Sequence, residues 1–276
     1  MGVARTVLAL TLLGIGLLAM SPVRAAAAAP GPAVAVPARC LDCHAIHYAA
    51  HGGCVDCHRG DPRADRAVLA HHRLLRGAAA TWALPGSPLP ARAAALRDSL
   101  GCRRCHVSGG RGERLAIALD TVAWARTQDE LRVALQRPAG AMPDFGLGSA
   151  TADTLIAALL READRRAASA RYQVRFRAGS DDSLRLFVKR CGGCHQALTP
   201  EGPQGTGTAG PNLTGLLGPL YPCPPDSAWQ RPRLEGWLAN PRSRRAGTTM
   251  PPVSLESGEL EAVLRALTPP PAAPPR

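Results

Sequence analysis

Three observations predict a mainly α-helical chain built in successive modules. Apolar residues recur at helical spacing in short stretches, most plainly at Leu260, Val263, Leu264 and Leu267. Residues 91–165 and 183–268 repeat one order of parts: a helix, a Cys-x-x-Cys-His run, a second helix, a Met-Pro pair and a closing helix. Hydrophobic residues make up 46% of the chain but aromatics only 4%. Cores of Leu, Val and Ala alone lack bulk, so a large apolar body is expected to fill them.

The elements follow in order. Residues 1–25 read as an export signal: Arg5 is the charged start, Val7 to Met20 the apolar run, and Val23-Arg24-Ala25 the cleavage region. The run is short of the roughly 20 residues that span a bilayer, so a periplasmic location is expected, with an uncleaved N-terminal membrane anchor as the alternative. Residues 26–39 form an Ala/Pro-rich lead. Residues 40–85 hold six of the eight histidines and little regular structure beyond a helix over Ala64 to Leu75. Gly86-Ser-Pro-Leu-Pro90 reads as a linker. Helices are expected at Ala93–Leu100, Thr127–Gln136 and Ala152–Leu160 in the next module, and at Ser183–Arg190, Leu234–Ala239 and Glu256–Leu267 in the last. The Arg- and Ser-rich stretch 166–182 joins these two, and its composition, like that of 86–90, allows reorientation. The tail, 269–276, is Pro-rich.

Eight of the nine cysteines fall in four copies of one motif: Cys40-Leu-Asp-Cys43-His44, Cys54-Val-Asp-Cys57-His58, Cys102-Arg-Arg-Cys105-His106 and Cys191-Gly-Gly-Cys194-His195. This is the attachment signature of c-type haem. Two thiols must reach two vinyl groups on one edge of a porphyrin, and the next residue must turn its imidazole onto the iron. A zinc ribbon would not need a histidine after every pair, and no βαβ pattern surrounds any copy as a thioredoxin-like dithiol would require. Four covalently bound haem c groups are expected, with His44, His58, His106 and His195 as proximal ligands.

The sixth ligands divide by module. Apart from Met1 and Met20, the methionines are Met142 and Met250, each before a proline and after a haem motif; they are the distal candidates for the third and fourth sites. Residues 40–85 contain no methionine, so histidines must serve there. His47 and His51 would share a face with His44 on a continuing helix, so either could serve the second haem but not the first. His71 and His72 end the expected Ala64–Leu75 helix. His51 and His72 are favoured slightly, with His47 and His71 as alternatives.

The fourth module resembles class I cytochromes c through Leu186-Phe187, Gly210-Pro211-Asn212-Leu213, Trp237-Leu238, Asn240-Pro241 and Met250-Pro251, over about 85 residues. The resemblance implies that Met250 is the sixth ligand and that the Pro211 carbonyl holds the His195 imidazole. The last helix lacks that family's usual aromatic, so looser packing on the first helix is expected. The third module resembles the same family more weakly, through Met142-Pro143-Asp144-Phe145; Gly112-Glu113-Arg114-Leu115 stands where the Gly-Pro-Asn-Leu run would fall. The spacing of residues 40–85 resembles bis-histidine multihaem cytochromes.

These resemblances imply a periplasmic electron carrier. Methionine ligation raises a haem's potential relative to histidine, so the N-terminal pair should accept electrons and the C-terminal module deliver them. The expected partners are a membrane quinol-oxidising, bc-type complex and a periplasmic acceptor. The alternative is a multihaem redox enzyme, such as a peroxidase or sulfur-compound dehydrogenase, which needs an iron with a displaceable ligand. The charge of +12 is offset in part by haem propionates, and no nucleic-acid motif accompanies it, so no nucleic-acid partner is expected. Cys223, in Tyr-Pro-Cys-Pro-Pro, is left without a partner.

Overall fold

Residue 39 opens a computed structural model of the protein that describes residues 39–122, 126–166, 172–178, 181–224 and 227–269. The export signal, nearly all of the Ala/Pro lead and the tail after Pro269 lie outside the described residues. Nine α-helices and one two-stranded sheet make up the described part, with short 3-10 turns between them. The chain is mainly α, as its apolar periodicity predicts.

The N-terminal segment has little regular structure: 3-10 turns at Arg39–Asp42 and Ala49–His51, then α1 (Cys54–His58) and α2 (Ala67–Ala70). The helix expected over Ala64–Leu75 is confined to α2. The chain turns at His71 to Arg73, where Arg73 has φ 58°, a left-handed conformation a helix cannot continue through. No residue from 39 to 74 is buried. Leu75 then enters the interior completely, at 0% exposure.

After a 3-10 stretch at Gly77–Ala83 comes α3 (Leu89–Ser99). Pro90 occupies its first turn, where a missing N–H costs nothing, so part of the expected linker 86–90 is the start of a helix. Gly101, at φ 64°, turns the chain into the third motif. Helix α4 (Gln128–Gln136) opens with a capping box: the Thr127 hydroxyl accepts from the Glu130 N–H while the Glu130 carboxylate accepts from the Thr127 N–H. Helix α5 (Ser149–Arg166) buries Ala152, Leu155, Ile156, Leu159 and Leu160, one face at 3–4 residue spacing. That face, with Leu131, Leu135 and Val122, forms the first core, and Leu75 belongs to it.

The second core belongs to α6 (Asp182–Arg190), α7 (Arg231–Ala239), α8 (Pro241–Arg244) and α9 (Ser257–Leu267). Phe187 on α6 is buried in one cluster with Leu234 and Leu238 of α7 and Val263 and Leu267 of α9. Each such side chain contributes roughly 1.5–3 kcal/mol of burial. The last helix packs on the first through Val263 and Leu267 against Phe187, without an aromatic of its own. An Arg190–Glu259 pair at 2.8 Å ties the two helices at the surface. A hairpin that the sequence reading did not foresee, β1 (Ala197–Thr199) and β2 (Gly202–Gln204), pairs antiparallel with Ala197 opposite Gln204. Gly202, at φ 113°, makes the tight return feasible.

The described residues belong to one compact unit, and contacts between modules are specific. Arg161 of α5 donates to the Asp56 carbonyl at 2.7 Å and to the Cys57 carbonyl, docking the second motif onto the third module. Arg104, in the third motif, donates to Asn212 and Thr214 carbonyls of the fourth module at 3.0 and 3.3 Å. Part of the stretch 166–182 is a strap rather than a loose linker. The Tyr172 hydroxyl donates to the Ala116 carbonyl, and Phe176 lies against Gly202.

Candidate haem sites

Each motif is a short turn that brings its second cysteine and its histidine back toward the first cysteine. The His N–H donates to the carbonyl of the first cysteine in three copies: His44 to Cys40, His106 to Cys102 and His195 to Cys191, at 3.0, 3.0 and 2.9 Å. The other copy lies wholly within α1.

Three of the four motif histidines share a second feature. His58 Nδ1 lies 3.0 Å from the Leu75 carbonyl, His106 Nδ1 lies 2.7 Å from the Ile117 carbonyl, and His195 Nδ1 lies 2.8 Å from the Pro211 carbonyl. The carbonyl can only accept, so Nδ1 carries the proton and Nε2 keeps a free lone pair. This is the orientation in which a ligating histidine is fixed by its other ring nitrogen. The Pro211 contact is the one that the resemblance of the fourth module implied. Burial holds the His106 pKa below its ordinary value, which also favours the neutral ring.

Around the third motif lies a cavity of about 450 Å³ with almost wholly apolar walls. Cys102, Cys105 and His106 line it, and so do Met142 and Pro143. Its volume is in the range of cofactor pockets. Phe176 from the strap and Leu198 and Pro203 from the β1–β2 hairpin complete the wall, so the fourth module closes the third module's cavity. The hairpin residues carried no signal in the sequence for this role.

The fourth motif sits in a close-fitting cradle. A Cβ on Gly210 would stand 2.5 Å from His195 Nδ1 and 2.8 Å from Nε2. His195 itself is 8% exposed. Met250 packs against the second core, and the Trp237 indole N–H donates to its sulfur at 3.0 Å.

In the N-terminal segment the alternatives His47 and His71, rather than the slightly favoured His51 and His72, stand beside motif histidines. His47 stacks on His58, with rings 9° from parallel and their Nε2 atoms 3.3 Å apart. His71 faces His44, with ring centroids 5.9 Å apart. His44, His47, His51, His71 and His72 are all exposed; the His51 ring stands 6.2 Å from that of Tyr48. The expectation assumed a helix running on from His44. None follows it, and Tyr48 turns at φ 49°, so His47 is not bound to His44's face.

The residues present fit haem c on three grounds: motif imidazoles whose Nδ1 atoms are held by carbonyls so that Nε2 keeps its lone pair, the apolar cavity lined by a motif and a methionine, and an N-terminal segment without a core of its own. In that segment Leu41, Ile46, Tyr48, Val68 and Leu69 are all at least half exposed. Other readings of the cysteines fit less well. Among the described residues no three His, Cys, Asp or Glu side chains converge on a metal position, as a zinc ribbon requires. Burial raises the thiol pKa at Cys40, Cys102, Cys105 and, to about 11, Cys191; a dithiol redox site needs the opposite shift. All nine cysteines are free, Cys223 being exposed. No helix among the described residues is long and apolar enough to cross a membrane.

No family model matches the chain, and no curated protein or solved structure matches it either.

Proposed function

We propose that the protein is a periplasmic tetrahaem c-type cytochrome that carries electrons. The observation that carries this reading is the apolar cavity lined by Cys102, Cys105, His106 and Met142, which brings a complete set of covalent and axial candidates around one space. Bound haem supplies reversible one-electron iron chemistry. The protein's residues do the rest. The eight motif cysteines anchor the groups. His44, His58, His106 and His195 offer Nε2 to the irons, three of them oriented by the carbonyls of Leu75, Ile117 and Pro211. Met142 and Met250 are the distal ligands of the third and fourth sites. At the second site His47 is the distal ligand, on the strength of its 3.3 Å approach to His58, and at the first site His71 takes that place opposite His44.

The ligand types order the sites. Bis-histidine ligation favours ferric iron and methionine favours ferrous iron, so the N-terminal pair receives electrons and the C-terminal module delivers them. A quinol-oxidising, bc-type membrane complex as donor and a periplasmic acceptor suit that gradient.

The test is production of the chain in a host competent for c-type haem attachment, followed by intact mass and thiol alkylation. The mass should exceed that of the polypeptide by four haem units, and alkylation of the denatured protein should label one thiol, Cys223. Zinc or reactive thiols at the motifs would refute the reading. In a reductive titration the two methionine-ligated haems should reduce first; the reverse order would refute the direction of flow.

A further inference from the structure

Arg104 is a buried cation without a carboxylate. It is 7% exposed, and among the described residues no acidic side chain lies within ion-pair distance of it. Its partners are backbone oxygens and a ring. Nε donates to the Gly101 carbonyl at 3.3 Å, Nη1 donates to the Asn212 and Thr214 carbonyls, and the guanidinium stands 4.8 Å above the Tyr221 ring. A buried charge without a counter-charge is costly, and its location gives the cost a purpose. Arg104 lies between the two cysteines of the third motif and lines the third cavity. The loop it grips is the one whose Pro211 carbonyl holds His195 of the fourth motif. The same loop reaches back: Asn212 Nδ2 donates to the carbonyl of Ala141, the residue before Met142, at 3.3 Å.

We propose that Arg104 bridges the third and fourth haem sites and, through its uncompensated charge, raises the potentials of both together. This rests on the four-haem reading. Oxidation of an iron adds positive charge, which a nearby fixed cation opposes. A unit charge acting over about 10 Å at an effective dielectric of about 20 shifts a one-electron equilibrium roughly tenfold. Because one guanidinium is held by both modules, its removal must be felt at both sites. Arg104 is thus a positioning and tuning residue, and its effect is read in potentials rather than in turnover.

The experiment is a spectrally resolved redox titration of the haem-loaded wild type, Arg104→Gln, Arg104→Lys and Asn212→Asp, with haem content measured first. Arg104→Gln keeps a donor but removes the charge. Both high-potential waves should fall together by about tenfold in reduced-to-oxidised ratio, or about 59 mV each, and the two low-potential waves should stay in place. Arg104→Lys should keep all four waves near the wild-type values. Asn212→Asp leaves Arg104 present and retains an acceptor for the Thr214 N–H, but loses the donor to the Ala141 carbonyl and adds a carboxylate to the loop that holds the guanidinium. The same two waves should fall, which provides the test even if Arg104→Gln does not fold. Movement of one wave or of neither, or an equal shift in Arg104→Lys and Arg104→Gln, would overturn the bridge and leave the four-haem reading intact. A wild-type chain without haem would overturn both.

Discussion

Gly210→Ala tests the cradle around His195 directly. Gly210 does not have a positive φ, so alanine brings no backbone strain there, and the effect is purely one of space. The added methyl would stand 2.5 Å from His195 Nδ1 and 2.8 Å from Nε2, with Cε1 closer still. The ring is 8% exposed and cannot move outward freely. It must rotate or shift, and the 2.8 Å contact from Nδ1 to the Pro211 carbonyl is then lost. Overpacking costs about 1–3 kcal/mol and the lost hydrogen bond about 1 kcal/mol, so the sum is about 2–4 kcal/mol. For a chain of this size that is a fall in Tm of about 5–15 °C. Gly193→Ala is the control. It lies within the same motif, also without a positive φ, and a Cβ there meets nothing within 4 Å. Thermal unfolding of both variants, followed by circular dichroism, with the absorption of the fourth haem followed in parallel, measures the difference. If Gly210→Ala melts within 2 °C of Gly193→Ala, or leaves the His195-linked spectrum unchanged, the cradle as described does not constrain the imidazole.

Three further outcomes are expected. In the haem-loaded protein, His47→Ala and His71→Ala should each convert one low-spin haem to a high-spin, carbon-monoxide-reactive form, whereas His51→Ala and His72→Ala should not; the opposite pattern would return the ligand role to His51 and His72. Arg161→Ala removes two hydrogen bonds that dock the second motif, so limited proteolysis should cut faster between residues 59 and 75 while the Phe187 core keeps its melting temperature. The hydrogen bond from Arg190 holds the Glu259 carboxyl below its usual pKa. Its folded value lies under its unfolded one, so the clasp between α6 and α9 contributes above the ordinary glutamate range and is lost as pH falls through the folded value. Acid unfolding of Arg190→Ala should therefore show a weaker dependence on pH in that range than the wild type, and identical curves would contradict the assignment.

The chain's local code is legible because covalent and short-range physics write it. The Cys-x-x-Cys-His spacing fixes a turn whatever surrounds it, and Thr127 with Glu130, or Leu260 with Val263, Leu264 and Leu267, mark helices through contacts three and four residues apart. So the four motifs, the methionine positions, the mainly α class and most helix positions follow from sequence alone. The sequence leaves His47 and His51, and likewise His71 and His72, open as alternatives, because which of each comes near a motif histidine depends on the turns at Tyr48 and Arg73, which leave helical space. The β1–β2 hairpin, too short to show a period, closes a cavity that belongs to another module. Composition at 86–90 and 166–182 measures chain stiffness but says nothing of what the chain touches. Arg161 on the Asp56 and Cys57 carbonyls and Arg104 on those of Asn212 and Thr214 span about a hundred residues of sequence, and a backbone oxygen as acceptor leaves no mark on the residue that supplies it. Only the tertiary structure brings those oxygens to the guanidinium groups, and with that it decides which histidines face each other and which modules hold one another.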